Sequence, residues 1–206
     1  PIASLTKAGF SAAVISALIK SGVAIRKRAE PPAYSPQPTL NLTDAQQGIS
    51  STLKAQMKGF KPHLLEGVTG SGKTEIYIEC VKEVIARGHQ ALVIIPEIGL
   101  TPQTKHRFEA ALGCEVPLIH SGLTEAERGR TWAMARSGAA CVVLGTRSSV
   151  FCSFRALGLI IVDEEHDPSF RQQDHPRYSA RDVAVKRAQI CNCPIIMGSA
   201  TPSLET

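Results

Sequence analysis

The chain has 206 residues, 43% of them hydrophobic and 20% charged, with a formal net charge of +5. This composition excludes a disordered or collagen-like chain, and the length suits one core of ordinary size with room for part of a second unit. No apolar run approaches the roughly 20 residues of a membrane span, and no basic-then-apolar leader opens the sequence, so neither a membrane protein nor a secreted one is expected.

The charge is uneven. In the first 40 residues Lys7, Lys20, Arg26, Lys27 and Arg28 oppose Glu30, so four of the five net charges lie there. Ser11 is placed to cap a helix whose apolar stripe is Val14, Ile15, Leu18 and Ile19, and Gly22 to end it. A basic strand over 23–28 follows. Residues 1–30 therefore suit the tail of a winged-helix module, or equally a solvated helix-strand piece. Pro31, Pro32, Pro36 and Pro38 make 31–41 a semi-rigid linker. The chain starts at Pro1 without a Met and stops at Thr206, and both ends are expected to be cuts within a longer protein.

From residue 42 a strand-turn-helix pattern repeats. Strands are predicted over 63–66, 91–96, 116–120, 141–145, 159–163 and 194–198, and helices over 73–87, 101–112, 124–137 and 179–191. Runs such as Leu92-Val93-Ile94-Ile95 and Leu159-Ile160-Ile161-Val162 are apolar throughout, as strands covered on both faces of a parallel sheet must be. The pattern predicts an α/β domain with a doubly wound, mostly parallel sheet, and ligands beyond the carboxyl ends of its strands. Cys80, Cys114, Cys141, Cys152, Cys191 and Cys193 include no Cys-x-x-Cys pair and are expected to be reduced, metal-free thiols, as in a cytoplasm.

The motifs fall at those strand ends. Gly67-Val68-Thr69-Gly70-Ser71-Gly72-Lys73-Thr74 fits G-x-x-x-x-G-K-[ST] between a predicted strand and a predicted helix. Its glycines let successive N–H groups turn inward on phosphate, and the helix start adds the positive end of its dipole. Lys73 would serve the β- and γ-phosphates of ATP, and the Thr74 hydroxyl would bind Mg²⁺. Asp163-Glu164-Glu165-His166 follows another strand: Asp163 would hold Mg²⁺ and Glu164 would act as general base toward water. An acidic helix-capping loop is the plainer alternative. Gln46 carries an amide that matches an adenine edge, or is an ordinary polar helix residue. No N-K-x-D guanine-reading motif is present. Ser199 and Thr201 end the last strand beside Asp163, placed to link the nucleotide to a second site.

Together, Gly67–Thr74, Asp163–His166 and Ser199-Ala200-Thr201 resemble motifs I, II and III of superfamily 2 helicases, and Gln46 resembles their Q motif. Added to these, the stretches 96–103, 120–123, 145–148 and 198–205 make residues 42–206 similar to the primosomal protein N′ family of bacterial replication-restart helicases. The resemblance implies a first RecA-like lobe of an ATP-dependent 3′→5′ DNA helicase, cytoplasmic, acting on single-stranded and forked DNA with primosome and single-strand-binding proteins as partners. It implies that 1–30 belongs to a winged helix, that His166, Ser199 and Thr201 couple the two sites, and that Thr101 and Arg147 lie on the nucleic-acid backbone. It also implies that the segment 169–178 is an aromatic-rich loop, with Phe170, Arg171 and Tyr178 on single-stranded DNA. Arg147 could instead cap a helix or form a core ion pair, and both rings could pack beneath the loop. The family's zinc-binding cysteines and second lobe, with its arginine finger, are expected beyond Thr206. Residues 1–206 alone are therefore expected to hydrolyse ATP very poorly. A nucleotide-dependent switch or non-unwinding ATPase that remodels protein partners is the alternative, since it uses the same phosphate site.

Overall fold

Apolar runs become strands wherever a turn residue interrupts them, and helices fill the intervals. The computed structural model describes residues 42–202, together with 11, 13, 14, 16 and 17. In chain order its elements are α1 (Asp44–Ala55), β1 (Pro62–Glu66), α2 (Lys73–Ala86), β2 (Gln90–Ile94), α3 (Pro102–Leu112), β3 (Leu118–Ile119), α4 (Glu125–Ser137), β4 (Val142–Gly145) and β5 (Leu157–Val162). A short pair, β6 (Arg171–Gln172) and β7 (Tyr178–Ser179), precedes α5 (Ala180–Cys191) and β8 (Ile195–Ser199). Short 3-10 turns follow β2 (Glu97–Gly99), β4 (Arg147–Phe151) and β5 (Pro168–Phe170).

Six strands form one parallel sheet in the order β1-β8-β5-β2-β4-β3. All their carboxyl ends therefore open on the same edge, where an α/β sheet receives its ligand. Every residue of β2, β4 and β8 is buried. Side chains alternate between the two faces, as strand geometry requires. From β2, Ala91 and Val93 join Leu53, Tyr77, Val81, Phe108 and Leu112 in one core cluster. Leu92 and Ile94 join Ala135, Phe170, Ala184 and Ala188 in another. The sheet is thus covered on both sides, in agreement with the doubly wound class expected from the sequence.

Local chemistry fixes the boundaries. Thr43 caps α1 in a reciprocal box with Gln46, and Thr124 caps α4 the same way with Glu127. Thr101 caps α3, with Pro102 at its first position. The Gln90 amide, buried at the start of β2, accepts from the Arg155 and Ala156 N–H groups at 2.9 and 3.0 Å. It donates to the Ala135 and Ala140 carbonyls at 2.9 and 2.6 Å. A fully paired amide of this kind holds three chain segments in one register.

Two segments differ from the sequence reading. The strand expected over 116–120 pairs only at Leu118 and Ile119. Residues 169–178 are not simply a loop, since Arg171–Gln172 and Tyr178–Ser179 close an antiparallel pair. At the amino end, the Val14 N–H donates to Ser11 Oγ at 3.4 Å, as the proposed cap requires. Most of 1–30, on which the winged-helix assignment rests, lies outside the described residues, as do the 31–41 linker and positions 203–206.

Candidate functional site

The glycine loop leaves β1 at Glu66 and enters α2 at Lys73. Gly70 and Gly72 have φ of 81° and 83°, the left-handed region where a Cβ is strained. At Gly72 a Cβ would also stand 2.2 Å from Gln46 Nε2. At Gly67 it would meet Ser71 Oγ at 2.7 Å. The cradle therefore exists because no side chain fills it. Val68, Thr69, Gly70 and Ser71 are exposed along its lip.

Lys73 is 7% exposed. Its ammonium donates to the Gly67 carbonyl at 2.6 Å and lies 3.3 Å from Glu164 Oε1. A buried cation held by a loop carbonyl and one carboxylate suits a ligand of high negative charge, since phosphate oxygens offer it stronger acceptors. Thr74 follows at the first turn of α2. Gln46 Nε2 donates to the Ser71 carbonyl at 2.9 Å, while its Oε1 accepts from the Thr43 N–H at 2.9 Å. The amide thus ties α1 to the glycine loop.

Asp163 and Glu164 follow β5, two strands along the sheet from β1, and β8 lies between them. The end of β8 is bonded to both neighbours: the Gly67 N–H donates to the Ser199 carbonyl at 3.0 Å and the Glu165 N–H to the Gly198 carbonyl at 2.9 Å. Burial raises the Asp163 carboxyl above its usual range and Glu164 adds to this, while a hydrogen bond from Tyr77 and the charge of Lys73 oppose it. A carboxylate in that state gains most from a cation beside it. Glu164 adopts φ 47°, unusual for a residue with a Cβ. Strain of that kind clusters at functional turns. The cradle, the buried ammonium, Thr74 and the desolvated Asp163 thus fit a Mg²⁺-nucleotide.

The strand-end hydroxyls connect as well. Ser199 Oγ is 2.7 Å from His166 Nδ1 and accepts from the Thr201 N–H at 3.1 Å. The three residues named for coupling are therefore in one hydrogen-bonded chain. Three features were not legible in the motifs. Tyr77 donates to Asp163 Oδ1 at 2.9 Å across 86 positions of sequence. Glu165 is fully enclosed and pairs with Arg181 at 3.3 Å. Arg107 on α3 pairs with Glu75 on α2.

The residues expected on DNA differ in exposure. Thr101 is exposed, with its hydroxyl engaged in capping α3. Arg147 turns inward: its Nη1 donates to the carbonyls of Ser169 and Arg171, both at 3.1 Å. Phe170 is 1% exposed and belongs to the core, the packing alternative that the sequence also allowed. Tyr178 is half-buried, its ring edge-on to Phe151 with centroids 5.0 Å apart. Arg171 is exposed beside them. Arg187 completes the cluster, donating to the Val150 and Cys152 carbonyls and lying 5.4 Å from the Phe154 ring centroid. Burial of the rings is favoured because each fills core volume, while the arginines satisfy carbonyls that the irregular turns leave unpaired.

The six cysteines are free. Burial pushes the Cys80 thiol up to about 12 and the Cys152 thiol to about 11. Among the described residues no helix is long and apolar enough to cross a membrane, and no group of three or more His, Cys, Asp or Glu side chains could hold a metal.

Comparison with known proteins agrees with this geometry. The profile of the DEAD/DEAH box helicases matches residues 43–206. Replication restart protein PriA of Haemophilus influenzae is 51% identical over 161 residues, 78% of this chain and 22% of that protein. Its counterpart in Bacillus subtilis is 40% identical over 209 residues, 97% of this chain and 26% of that protein. The chain thus spans about a quarter of the length of these relatives. Among solved structures, RecG bound to a three-way DNA junction aligns with TM-score 0.60 and 24% identity, over 93% of this chain and 23% of that one. The helicase MrfA bound to DNA and AMPPNP aligns with TM-score 0.58 and 18% identity, over 92% of this chain and 31% of that one. These two likenesses carry the fold, a RecA-like helicase lobe. With its glycine cradle, acidic turn and strand-end hydroxyls in that arrangement, the chain belongs to the DEAD/DEAH box helicase family and is homologous to replication restart protein PriA.

Proposed function

We propose that this chain is the ATP-binding lobe of an ATP-dependent DNA helicase that acts in replication restart and primosome assembly. The observation that carries the reading is the convergence of three strand ends: Lys73 from the glycine loop, Glu164 within 3.3 Å of it, and Ser199 between them on β8. Gly67 to Thr74 would enclose the phosphates of ATP. Thr74 and Asp163 would hold Mg²⁺, which supplies charge neutralisation at the phosphates when bound. Lys73 would exchange the Gly67 carbonyl for phosphate oxygen. Released from Lys73, Glu164 would take a proton from the attacking water. His166, Ser199 and Thr201 would report the state of Glu164 to the end of β8, since His166 Nδ1 also lies 3.9 Å from Glu164 Oε2.

The names of the relatives support the replication-restart role, and a solved neighbour described with a DNA junction supports DNA as partner. Unwinding from 3′ to 5′, cytoplasmic location, and primosome and single-strand-binding proteins as partners are carried over from the family. The alternative, a nucleotide switch that remodels protein partners, draws support from Phe170, which is buried in the core, and from Arg147, which is bonded to carbonyls of its own chain. Strand displacement by the intact protein separates the two. ATP-dependent unwinding of a forked duplex with a 3′ tail, weaker with a 5′ tail, is expected. ATP hydrolysis that ignores DNA, with no displacement on either fork, would favour the switch.

A further inference from the structure

Tyr77 has no part in the motifs, yet it follows the glycine loop by one helical turn and reaches both the acidic turn and the end of β8. It lies four residues after Lys73 on α2, one turn further along the same helix face. Its hydroxyl donates to Asp163 Oδ1 at 2.9 Å. Its ring is 1% exposed and belongs to the core on the α2 side of the sheet. On β8, a Cβ added to Gly198 would stand 1.6 Å from the Tyr77 oxygen and 3.3 Å from Asp163 Oδ1. Gly198 therefore has no side chain because the phenol occupies that space. Its φ is not in the left-handed region, so backbone freedom is not the reason.

We infer that Tyr77 is a positioning residue for the metal-binding carboxylate: it fixes Asp163 by one oxygen and leaves the other for the cation. A carboxylate at a strand end can rotate about its terminal torsion, which is broad and nearly two-fold. A single donor from a rigid, fully packed ring selects one orientation. Hydrogen-bonded partners of metal ligands act in this way at other sites, and losing one costs about 10–100-fold in metal affinity. The plainer role, a buried phenol that merely needs an acceptor, predicts a loss of stability and no particular effect on metal. The inference rests on the reading of this site as a Mg²⁺-ATP site.

The test uses the intact protein and a fluorescent ATP analogue, titrated at a series of Mg²⁺ concentrations and in EDTA. Tyr77→Phe keeps the ring and removes the donor. The expected result is unchanged binding in EDTA, a Mg²⁺ midpoint raised about tenfold, and recovery of full binding at saturating Mg²⁺. A purely structural defect would not recover. Gly198→Ala crowds the same hydroxyl from β8 and is expected to move the midpoint in the same direction, which keeps the test decisive if Tyr77→Phe fails to fold. An unmoved midpoint in a folded variant would overturn the inference and leave the site reading intact. A wild-type protein whose nucleotide binding is indifferent to Mg²⁺ would overturn both.

Discussion

The nucleotide end and the segment 147–178 both combine basic residues with irregular backbone, yet they put them to opposite uses. At the strand ends, glycines hold side chains away, and Lys73 reaches into a cradle that no Cβ occupies. In the other region, Arg147 turns onto carbonyls of its own chain, Arg187 reaches in from α5 to the Val150 and Cys152 carbonyls, and Phe170 fills the core. Stereochemistry is a stronger guide than composition. A glycine at positive φ permits one kind of loop, whereas an aromatic among arginines can satisfy an external polyanion or an internal set of carbonyls.

This contrast can be tested by substitution. The largest effect is expected at Phe170: truncation to Ala should cost about 3–5 kcal/mol of the lobe's stability, read by denaturant unfolding. A ring used mainly for DNA would instead lower DNA-stimulated hydrolysis with little change in unfolding. Arg147→Ala leaves two carbonyls without their donor and should cost about 1–3 kcal/mol. Faster amide hydrogen exchange over 169–172 would accompany it. Loss of DNA affinity with unchanged exchange would return Arg147 to a phosphate role.

At the nucleotide end, Gly72→Ala places a Cβ in a left-handed conformation and against Gln46. A cost of about 1–2 kcal/mol is expected, together with weaker nucleotide binding by titration. The smallest effect belongs to neither region. Hydrogen bonds from Thr124 hold the exposed Glu127 carboxyl below its ordinary value. A depressed acid stabilises the fold above the ordinary carboxylate range and loses that contribution as pH falls through its own value. Thr124→Ala should therefore move the Glu127 titration up toward the usual range, measurable by NMR, with ATP hydrolysis unchanged.

What was legible follows the same division. The wholly apolar runs identified the strands of a parallel sheet, and the spacing of Gly67, Gly70, Gly72 and Lys73 defined the loop, because each depends on near neighbours in sequence. The insertion of β8 between β1 and β5 was not legible, although that insertion brings Ser199 to His166. Nor was the Tyr77–Asp163 bond, since Tyr77 reads as one more apolar position on α2. The α1 helix carried its own sign in the Thr43–Gln46 capping box, but Gln46 alone was read there, as an adenine contact or an ordinary polar helix residue. Its position against the Ser71 carbonyl shows a link to the glycine loop. The packing of Phe170 and the carbonyl partners of Arg147 were not legible, because nothing local distinguishes an outward side chain from an inward one.

We propose that Lys73 and its partners form a site for ATP hydrolysis coupled to DNA. The most direct test is the ATPase rate of the intact protein, with and without single-stranded DNA, for the wild type and Lys73→Ala. The expected result is DNA-stimulated hydrolysis in the wild type and a fall of roughly 10²–10³-fold in the folded variant, since a donor aimed at developing charge is lost. Hydrolysis that persists in Lys73→Ala would exclude that role for the glycine-loop site.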